Sequence, residues 1–325
     1  MKKNINNPTV DYCLLLSAGL GERMGKIAKV LPKPLWPIFE KKLLELQISF
    51  INRLDTLGTL GIKKLFINAH HLHQKIIDFS EQIISSSATN IPIEILYEPT
   101  LLDIGGAIHN LASLPSISYN GNLLVVNSDQ FLCFDFDLLP KIRSLSQNYA
   151  AALLGIYVPK DWGHNQLLLD EVGHLQSIVK NSSIASSITS TSTILTYSGM
   201  SIINLAKLSP CKGCSNFFES VANYRNTSVN VYVVEGAGTE YWDFGTLRRY
   251  YDSLKKLLAL YITNDVQSSD VQSSFLQFCI SENVFNHATL SNYSNSSWAP
   301  STLNLENCSF VDGIYYEGVF EEIGK

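Results

Sequence analysis

The sequence lacks any run of apolar residues that could cross a lipid bilayer as a helix, which takes about 20 consecutive apolar residues. Its start has a short basic segment, but only the apolar residues "CLLL" follow, too few for the core of a secretory signal. Charged residues are scarce, at 16% of 325, while 46% are hydrophobic, and this composition excludes a disordered chain. We therefore expect a folded cytoplasmic protein without membrane contact, long enough for one large domain and a smaller appendage.

Cysteine is also scarce, and among the six cysteines only Cys211 and Cys214 ("CKGC") have the spacing of a metal or redox pair. One such pair, with neither a second pair nor a histidine pair, favours a turn or loop over a zinc site. His70, His71 and His73 form the other cluster of metal-ligand types. Because neighbouring side chains on a strand point to opposite faces, these histidines favour a pocket wall or a surface over a zinc site.

Positive charge is in the minority overall, and its placement is uneven. Up to residue 75 the sequence has 12 Lys and Arg against 5 Asp and Glu, whereas the remainder has 12 against 24. This imbalance predicts an anionic ligand near the first elements, with a metal held by later carboxylates. Nucleic acid is not expected as a partner, because the basic residues form no long runs and the net charge is −5.

Hydrophobic periodicity predicts alternating strands and helices in the first half of the chain. Strands are indicated by residues 12–16, "KKLFINAHH", "IPIEILYE" and "GNLLVVNSD". Helices are indicated by "KKLLELQISFINRLDTLG", which Gly58 ends, by residues 72–84, and by "GGAIHNLASL". This alternation predicts a Rossmann-like α/β fold, in which a mixed, mostly parallel sheet is covered by helices on both faces.

After about residue 149 the pattern loosens. Three strands are indicated by "AALLGIYVP", "STILTYSGMSII" and "SVNVYVVEG", and one amphipathic helix by "FGTLRRYYDSLKKLLALYI". The tandem "DVQSSDVQSS" is typical of a linker, and alternating small and apolar residues follow it. We predict a main domain over residues 1–262, then a linker and a short C-terminal β segment over 263–325, which could be a partial left-handed β-helix coil.

The first strand ends in glycines and is followed by basic residues. Gly19 and Gly21 permit backbone conformations and close approaches that a side chain would block. Successive N–H groups in such a turn form an anion-binding concavity. Arg23 adds a planar fork of donors, and Lys33, fixed between two prolines, adds a directed point charge. Together these residues predict a site that binds a polyphosphate.

Two better-known glycine loops do not fit this stretch. The dinucleotide motif G-x-G-x-x-G fails because Gly25 comes one residue late, and the second strand ends in "NAHH" rather than in an acid. The phosphate-binding motif G-x-x-x-x-G-K-[ST] fails because "GERMGKI" is one residue too short and has no hydroxyl after Lys26.

Residues 13–37 resemble the signature of the sugar-1-phosphate nucleotidyltransferase family: an apolar strand, A-G-x-G-x-R-M, seven residues, then P-K-P-L-x-P. Further segments resemble that family in the same order. "EPTLLDIGGAIHNL" is similar to its base-binding segment, "LLVVNSD" to its metal-binding strand, "YSGMSII" to its sugar-facing strand and "EYWDFGTLRRY" to its W-x-D-x-G-T motif. The resemblance covers about residues 12–255 and implies the nucleotide-diphospho-sugar transferase fold, with the catalytic domain within residues 1–262.

The resemblance implies four catalytic residues. Asp129 and Asp243 would jointly bind Mg²⁺, Arg23 would contact the triphosphate, and Lys33 would meet the phosphates near the reacting centre. The implied reaction is attack by a sugar-1-phosphate oxygen on the α-phosphorus of an NTP, which yields an NDP-sugar and pyrophosphate. Because the attacking phosphate is already an anion, no general base is needed, which agrees with the absence of an obvious Ser-His-Asp or Cys-His set.

The resemblance also implies binding residues. Those for the nucleotide are Ala18, Gly19, Gly21, Arg23, Gly105 and Gly106, and those for the sugar are Tyr197, Ser198 and Gly199. The sequence departs from the family pattern at Glu22, where many relatives have threonine, and at Ile104, where a small hydroxyl residue is frequent. Glu22 is expected to point away from the triphosphate or to pair with a lysine.

The family members whose motifs this sequence resembles most are the MurNAc-1-phosphate uridylyltransferase and mannose-1-phosphate guanylyltransferase types. This resemblance favours UTP or GTP as the nucleotide. The product would serve cell-envelope polysaccharide or peptidoglycan recycling, and the C-terminal segment could mediate a homo-oligomer. Two other interpretations stay open. One is a cytidylyltransferase acting on a non-sugar phosphate, and the other is a non-catalytic homologue that binds nucleotide-sugars and regulates a partner.

Overall fold

The computed structural model describes the chain in five stretches, together with the backbone of four short strands nearer the C-terminus. The five stretches are residues 9–86, 89–184, 192–226, 230–263 and 273–285.

Strands and helices alternate along this part of the chain. The strands are β1 (Tyr12–Leu16), β2 (Pro37–Ile38), β3 (Lys41–Lys42), β4 (Lys64–Ala69), β5 (Ile93–Tyr97), β6 (Asn122–Asn127), β7 (Gln130–Cys133), β8 (Ala151–Pro159), β9 (Gln166–Leu169), β10 (Leu175–Val179), β11 (Thr193–Asn204), β12 (Val231–Glu235), β13 (Glu240–Asp243), β14 (Leu303–Leu305), β15 (Cys308–Phe310), β16 (Gly313–Tyr316) and β17 (Val319–Glu322). The helices are α1 (Leu43–Gly58), α2 (His73–Ser85), α3 (Asp103–Ala112), α4 (Leu138–Leu145), α5 (Asn181–Ile184), α6 (Phe217–Ser220), α7 (Leu247–Thr263) and α8 (Ser274–Ser281). None of these described helices is long and apolar enough to span a membrane.

The main sheet has seven strands within the described residues, in the order β5-β4-β1-β6-β11-β8-β12. Neighbouring strands are parallel except at β11, which runs antiparallel to both β6 and β8. The predicted mixed, mostly parallel sheet with helices is therefore confirmed. Because β1 lies between β4 and β6 and all three strands are parallel, their carboxyl ends lie together at one edge of the sheet. Ligands bind at this edge in folds of this class.

Each central strand is buried on both faces, which explains its continuous apolar run. Cys13 and Leu15 of β1 belong to the core on one face of the sheet, whereas Leu14 belongs to the core on the other face. The same alternation holds in β6, where Val126 and Val125 belong to opposite cores. The sheet is thus covered on both sides, and its loops carry the polar chemistry.

The core continues beyond the predicted domain boundary at residue 262. Phe275 and Phe278 of α8 are buried, and the Phe275 ring lies 4.8 Å from that of Phe131 and 4.9 Å from that of Trp242. Helix α8 is therefore part of the main hydrophobic core, although residues 263–325 were predicted to form a linker and a β segment. Most of the predicted linker "DVQSSDVQSS" lies outside the described residues.

The last four strands form an antiparallel sheet in the order β14-β15-β16-β17. A C-terminal β segment was expected, but the coils of a β-helix stack their strands in parallel, so this arrangement differs from the expected coil. Strand β17 runs beside residues 22–29, which follow the glycine loop.

Candidate functional site

A cavity of about 380 Å³ opens at the carboxyl ends of β1, β4 and β6. Its polar wall comes from the loops that follow these strands, which brings together residues far apart in sequence. The lining residues include Ser17, Ala18, Gly19, Arg23, Lys33, Asn68, Glu98, Asp103, Ile104, Asn127 and Asp129. The structure therefore places the two predicted basic residues and one predicted metal ligand in one cavity.

The two glycines after β1 have different roles. A side-chain carbon at Gly19 would meet no atom within 4 Å, so the backbone at Gly19 borders open space in the cavity. Gly21 has a left-handed φ of 69° and precedes the 3-10 segment Glu22–Lys29, which is kinked at Gly25, so Gly21 makes the turn. This turn places Arg23 on the cavity wall, while Glu22 is exposed.

Lys33 is directed at Asp129. Pro32 and Pro34 flank it in a short 3-10 turn, and its Nζ donates to Asp129 Oδ2 at 2.6 Å. The side chains are 13% and 21% exposed, so water screens this ion pair only in part. The next turn is anchored by Trp36, whose ring packs edge-on against that of Tyr250 in α7 at 5.0 Å.

Asp129 and Asp243 lie side by side because β7 and β13 pair. Gln130 is opposite Asp243 in this antiparallel ladder, and the Phe244 N–H donates to the Asp129 carbonyl at 2.8 Å. A side-chain carbon at Gly245 would lie 2.8 Å from Asp243 Oδ1 and 3.1 Å from Asp129 Oδ2. The two carboxylates thus converge on the space that the missing side chain of Gly245 leaves open.

The chemistry of the two carboxylates suits a hard divalent cation, although Asp129 Oδ2 accepts from Lys33 and Asp243 Oδ1 accepts from the Gly245 N–H. Carboxylate oxygens are the ligands that Mg²⁺ prefers, and Mg²⁺ is usually held by one or two carboxylates plus substrate phosphates and water. Among the described residues, no group of three or more His, Cys, Asp or Glu side chains could hold a metal. Asp129 and Asp243 could therefore provide two ligands, and the rest would have to come from substrate and solvent.

Arg249 pairs with Asp243 on the side away from Asp129. Its Oδ1 accepts from the Gly245 N–H at 2.6 Å, and its Oδ2 accepts from the Arg249 guanidinium and lies 4.0 Å from His164 Nε2. Burial lowers the pKa of His164 and the charge of Arg249 lowers it further, while Asp243 acts in the opposite direction. The positive partner of Asp243 is therefore Arg249.

A second cavity, of about 350 Å³, lies on the Asp243 side of the carboxylate pair. Its walls include the aromatic rings of Trp162 and Tyr241, the carboxylate of Asp243 and the guanidinium of Arg249. Trp162 follows β8 and Tyr241 is in β13, and their ring centroids lie 6.1 Å apart. Asp129 lines the first cavity and Asp243 lines the second, so each cavity has one carboxylate of the pair in its wall.

Comparison with known proteins assigns the family. Residues 12–259 match the family described as nucleotidyl transferase. The chain belongs to the nucleotidyl transferase family. The expected resemblance is therefore confirmed at the level of the family, and with it nucleotidyl transfer as the general activity.

Solved structures show the same fold. HddC from Yersinia pseudotuberculosis has a TM-score of 0.58 and 20% identity, with 76% of this chain and 99% of HddC covered. The same protein complexed with GMP-PN gives equal values. A UDP-glucose pyrophosphorylase complexed with UDP-glucose has a TM-score of 0.56 and 15% identity, with 79% of this chain and all of that chain covered. A search of curated proteins found no match.

In this nucleotidyl transferase, Gly105 and Gly106 lie on α3 just beyond the first cavity. A side-chain carbon at Gly105 would lie 2.7 Å from the carbonyl oxygens of Ser215 and Asn216. The Gly106 N–H donates to the Ser215 carbonyl at 3.1 Å. The two glycines allow the segment after Cys211 to pack closely on α3, and the residues of α3 that line the cavity are Asp103 and Ile104.

The three predicted sugar-facing residues lie in β11 and line neither cavity. The Tyr197 ring stacks on that of Phe217 at 5.3 Å, and its hydroxyl lies 2.9 Å from Ser201 Oγ. Ser198 is buried, and its carbonyl accepts from the Gln130 side chain. Gly199 has a left-handed φ of 82°, where β11 bulges between its two neighbouring strands. Their assignment to a sugar stays a prediction.

The predicted W-x-D-x-G-T motif differs at its first position, where this chain has Tyr241, and Trp242 directly precedes Asp243. Alternation along β13 buries Trp242 in the core, while Tyr241 reaches Gln130 Oε1 with its hydroxyl at 3.1 Å. Thr246 accepts from the Arg249 N–H at 3.2 Å with its Oγ1 and thereby caps α7. The motif thus supplies a carboxylate, a glycine beside it and a helix cap in sequence.

A polar network at the far end of the first cavity was not predicted from the sequence. Asn68 accepts from the Ser17 N–H at 2.7 Å and donates to Glu98 Oε1 at 2.8 Å. Glu98 Oε2 in turn accepts from the Leu102 N–H at 3.3 Å. Asn68 and Glu98 are buried and line the cavity. The signal was present, because a polar residue in or just after each buried strand marks the ligand edge of such a sheet.

Burial raises the pKa of Glu98 above its ordinary value of 4.5. Since the folded state binds this proton more tightly than the unfolded state, Glu98 contributes stability below pH 4.5 that is lost as pH rises through the raised pKa. We expect the free energy of unfolding of the wild type, relative to Glu98→Gln, to fall between pH 4 and pH 7. Urea unfolding of both proteins across this pH range tests the prediction. If the free energy of unfolding of the wild type relative to Glu98→Gln stays constant or rises with pH, the raised pKa of Glu98 is contradicted.

The remaining candidate clusters have structural partners. His70 Nδ1 donates to the Glu98 carbonyl at 2.8 Å, His71 Nε2 donates to the Ala28 carbonyl at 2.7 Å, and the His73 ring packs on that of Tyr97 at 4.4 Å. The three rings therefore diverge. The "CKGC" segment is a loop in which Gly213 has a left-handed φ of 81°, as the sequence predicted.

Proposed function

We propose that this nucleotidyl transferase joins an NTP to a sugar-1-phosphate and releases pyrophosphate, with Mg²⁺ held by Asp129 and Asp243. The observation that carries the proposal is the convergence of the two carboxylates on the space at Gly245, between a cavity with Arg23 and Lys33 and a cavity with Arg249. Two cavities that each present one carboxylate of the pair suit a reaction that brings two phosphate groups together.

The residues of the chain would position the substrates and balance their charge. The turn at Gly19 and the guanidinium of Arg23 would bind the triphosphate, and Lys33 would stay beside Asp129 and face the α-phosphate. When bound, Mg²⁺ would supply Lewis-acid neutralisation of phosphate charge. An oxygen of the acceptor phosphate would form the new bond to the α-phosphorus, and the electrons of the broken bond would leave with pyrophosphate. No residue needs to remove a proton.

The nucleobase would lie toward Asn68 and Glu98. An ionised carboxylate only accepts hydrogen bonds, and guanine and uracil both carry a ring N–H that Glu98 could bind. This supports GTP or UTP as the nucleotide. The structural neighbours were complexed with GMP-PN and with UDP-glucose, which supports the same choice. The NDP-sugar product would serve cell-envelope polysaccharide synthesis.

Pyrophosphate release tests the proposal. The purified protein is mixed with Mg²⁺, each of the four NTPs, and a panel of sugar-1-phosphates, with phosphocholine as a non-sugar acceptor. We expect turnover with GTP or UTP and a sugar-1-phosphate. Turnover with CTP and phosphocholine alone would replace the proposal by the cytidylyltransferase alternative. No turnover with any pair would overturn the proposal and favour a non-catalytic homologue.

Lys33→Gln is expected to lower kcat by a factor on the order of 10², because it removes a positive charge beside the reacting phosphates. It also leaves Asp129 without its ion-pair partner. Lys29→Gln is the matched control, since Lys29 is exposed on the same loop and does not line the cavity. Steady-state kinetics of both variants test this prediction. If kcat falls equally in Lys33→Gln and Lys29→Gln, the role of Lys33 is contradicted.

A further inference from the structure

Two cations occupy corresponding places on either side of the carboxylate pair. Lys33 is bound to Asp129 in the first cavity, and Arg249 is bound to Asp243 in the second. The proposed reaction requires two phosphate groups, one in the NTP and one in the acceptor. Arg23 and Lys33 both belong to the first cavity, so the second cavity needs its own group to bind a phosphate.

Arg249 is held in place from two directions. It lies in the first turn of α7, where its guanidinium donates to Asp243 Oδ2 with one nitrogen and to the Trp162 carbonyl with another. Its side chain is still 31% exposed on the cavity wall. Its Nη1 also lies 3.5 Å from His164 Nε2, and since a guanidinium has five N–H donors in a fixed plane, these three contacts still leave donors for a further anion.

The contacts of Asp243 show that Arg249 does not take the place of a cation. The Oδ1 atom, which accepts from the Gly245 N–H, is the oxygen that converges with Asp129, whereas Arg249 binds Oδ2. The pair thus keeps Oδ1 turned toward Asp129. Arg249 therefore orients a ligand and adds a positive charge on the side that faces the second cavity.

Charge in the second cavity makes Arg249 necessary there. Asp161, Asp243 and Asp252 contribute three carboxylates to its walls, and Lys256, whose Nζ lies 4.5 Å from the centre of the Trp242 ring, is the other cation. Arg248 pairs with Asp252, so without Arg249 a phosphate entering this cavity would meet the carboxylates of Asp161 and Asp243 with Lys256 as the cation of the wall.

We propose that Arg249 binds the phosphate of the acceptor in the second cavity. This inference rests on the proposed function. The acceptor phosphate lies against the guanidinium of Arg249, on the side of Asp243 opposite the triphosphate held by Arg23 and Lys33. Its oxygen forms the bond to the α-phosphorus, and pyrophosphate leaves toward the glycine loop with the electrons of the broken bond. Attack and departure on opposite sides are what in-line phosphoryl transfer requires.

Binding of two inorganic probes tests the inference without turnover. Isothermal titration calorimetry measures the affinity of the protein for two ions. Inorganic phosphate represents the acceptor phosphate, and tripolyphosphate represents the triphosphate of the NTP. In Arg249→Gln we expect the affinity for phosphate to fall about tenfold or more, with the affinity for tripolyphosphate nearly unchanged. In Arg23→Gln we expect the opposite. Lys255→Gln is the matched control, because it removes one positive charge from the same helix and Lys255 does not line the second cavity.

Removing Arg249 leaves the buried Asp243 carboxylate without its partner, so Arg249→Gln could fold poorly. Arg249→Lys keeps the charge and loses the planar fork, and we expect it to weaken phosphate binding while the melting temperature stays near that of the wild type. Equal loss of both probes in a folded Arg249 variant, unchanged phosphate binding, or no phosphate binding by the wild type would overturn the inference. Failure of the turnover panel would overturn the proposed function and leave this binding result standing.

Discussion

Replacing Asp129 or Asp243 by asparagine is expected to lower turnover by a factor on the order of 10³, about 4 kcal/mol of transition-state stabilisation. Asparagine keeps the shape of the side chain but not the charge that a divalent cation needs. Because the carboxylates converge at Gly245, the loss of either one should also weaken Mn²⁺ binding, which titration measures in the absence of substrates.

The control for these variants is Asp137→Asn, an equal charge change at an exposed position just before α4. It should leave both turnover and Mn²⁺ binding at the level of the wild type. Circular dichroism melting separates lost function from lost fold. Wild-type activity in both site variants would contradict the assignment of the metal ligands.

Gly245→Ala is expected to abolish turnover as fully as either aspartate variant, although it adds only a methyl group. The added carbon would lie 2.8 Å from Asp243 Oδ1 and 3.1 Å from Asp129 Oδ2. Asp243 Oδ1 cannot move without breaking its hydrogen bond from the Gly245 N–H. The methyl group would thus fill the space between the two carboxylates and exclude a cation.

The fold should tolerate Gly245→Ala, because Gly245 does not have a left-handed φ. We expect a change in the free energy of unfolding of about 1 kcal/mol, the size typical of a point substitution. Steady-state kinetics and Mn²⁺ titration of the folded variant test the prediction. An active Gly245→Ala protein that binds Mn²⁺ normally would show that the cation does not bind at this point.

The parts of the site that local chemistry decides were visible in the sequence. The pair Gly19 and Gly21 predicted a turn after β1, and Gly21 makes it with a left-handed φ. The two flanking prolines predicted that Lys33 is held in place. Asp129 follows an apolar strand, at the edge where this class of sheet binds ligands. The alternation of strands and helices likewise predicted the sheet, since each central strand is buried on both faces.

The parts that depend on long-range packing were not visible. Arg249 reaches Asp243 and the Trp162 carbonyl only because α7 packs beside the loop after β8. Gly105 and Gly106 meet a loop about 110 residues later in the chain, and no local pattern indicates that contact. Helix α8 follows a linker-like repeat, so its place in the core became clear only from the rings around Phe131.

Phosphorus NMR of the complete reaction tests the central claim most directly. The protein is incubated with Mg²⁺, GTP or UTP, and the sugar-1-phosphate that the panel identifies. The proposed chemistry predicts that the three resonances of the NTP disappear together with that of the sugar-1-phosphate. The two resonances of the NDP-sugar and the single resonance of pyrophosphate should appear, with the two products in equal molar amounts. It also predicts that none of this occurs with Asp243→Asn. Formation of NDP with inorganic phosphate, or of a sugar that carries a second phosphate without release of pyrophosphate, would contradict nucleotidyl transfer at the α-phosphate.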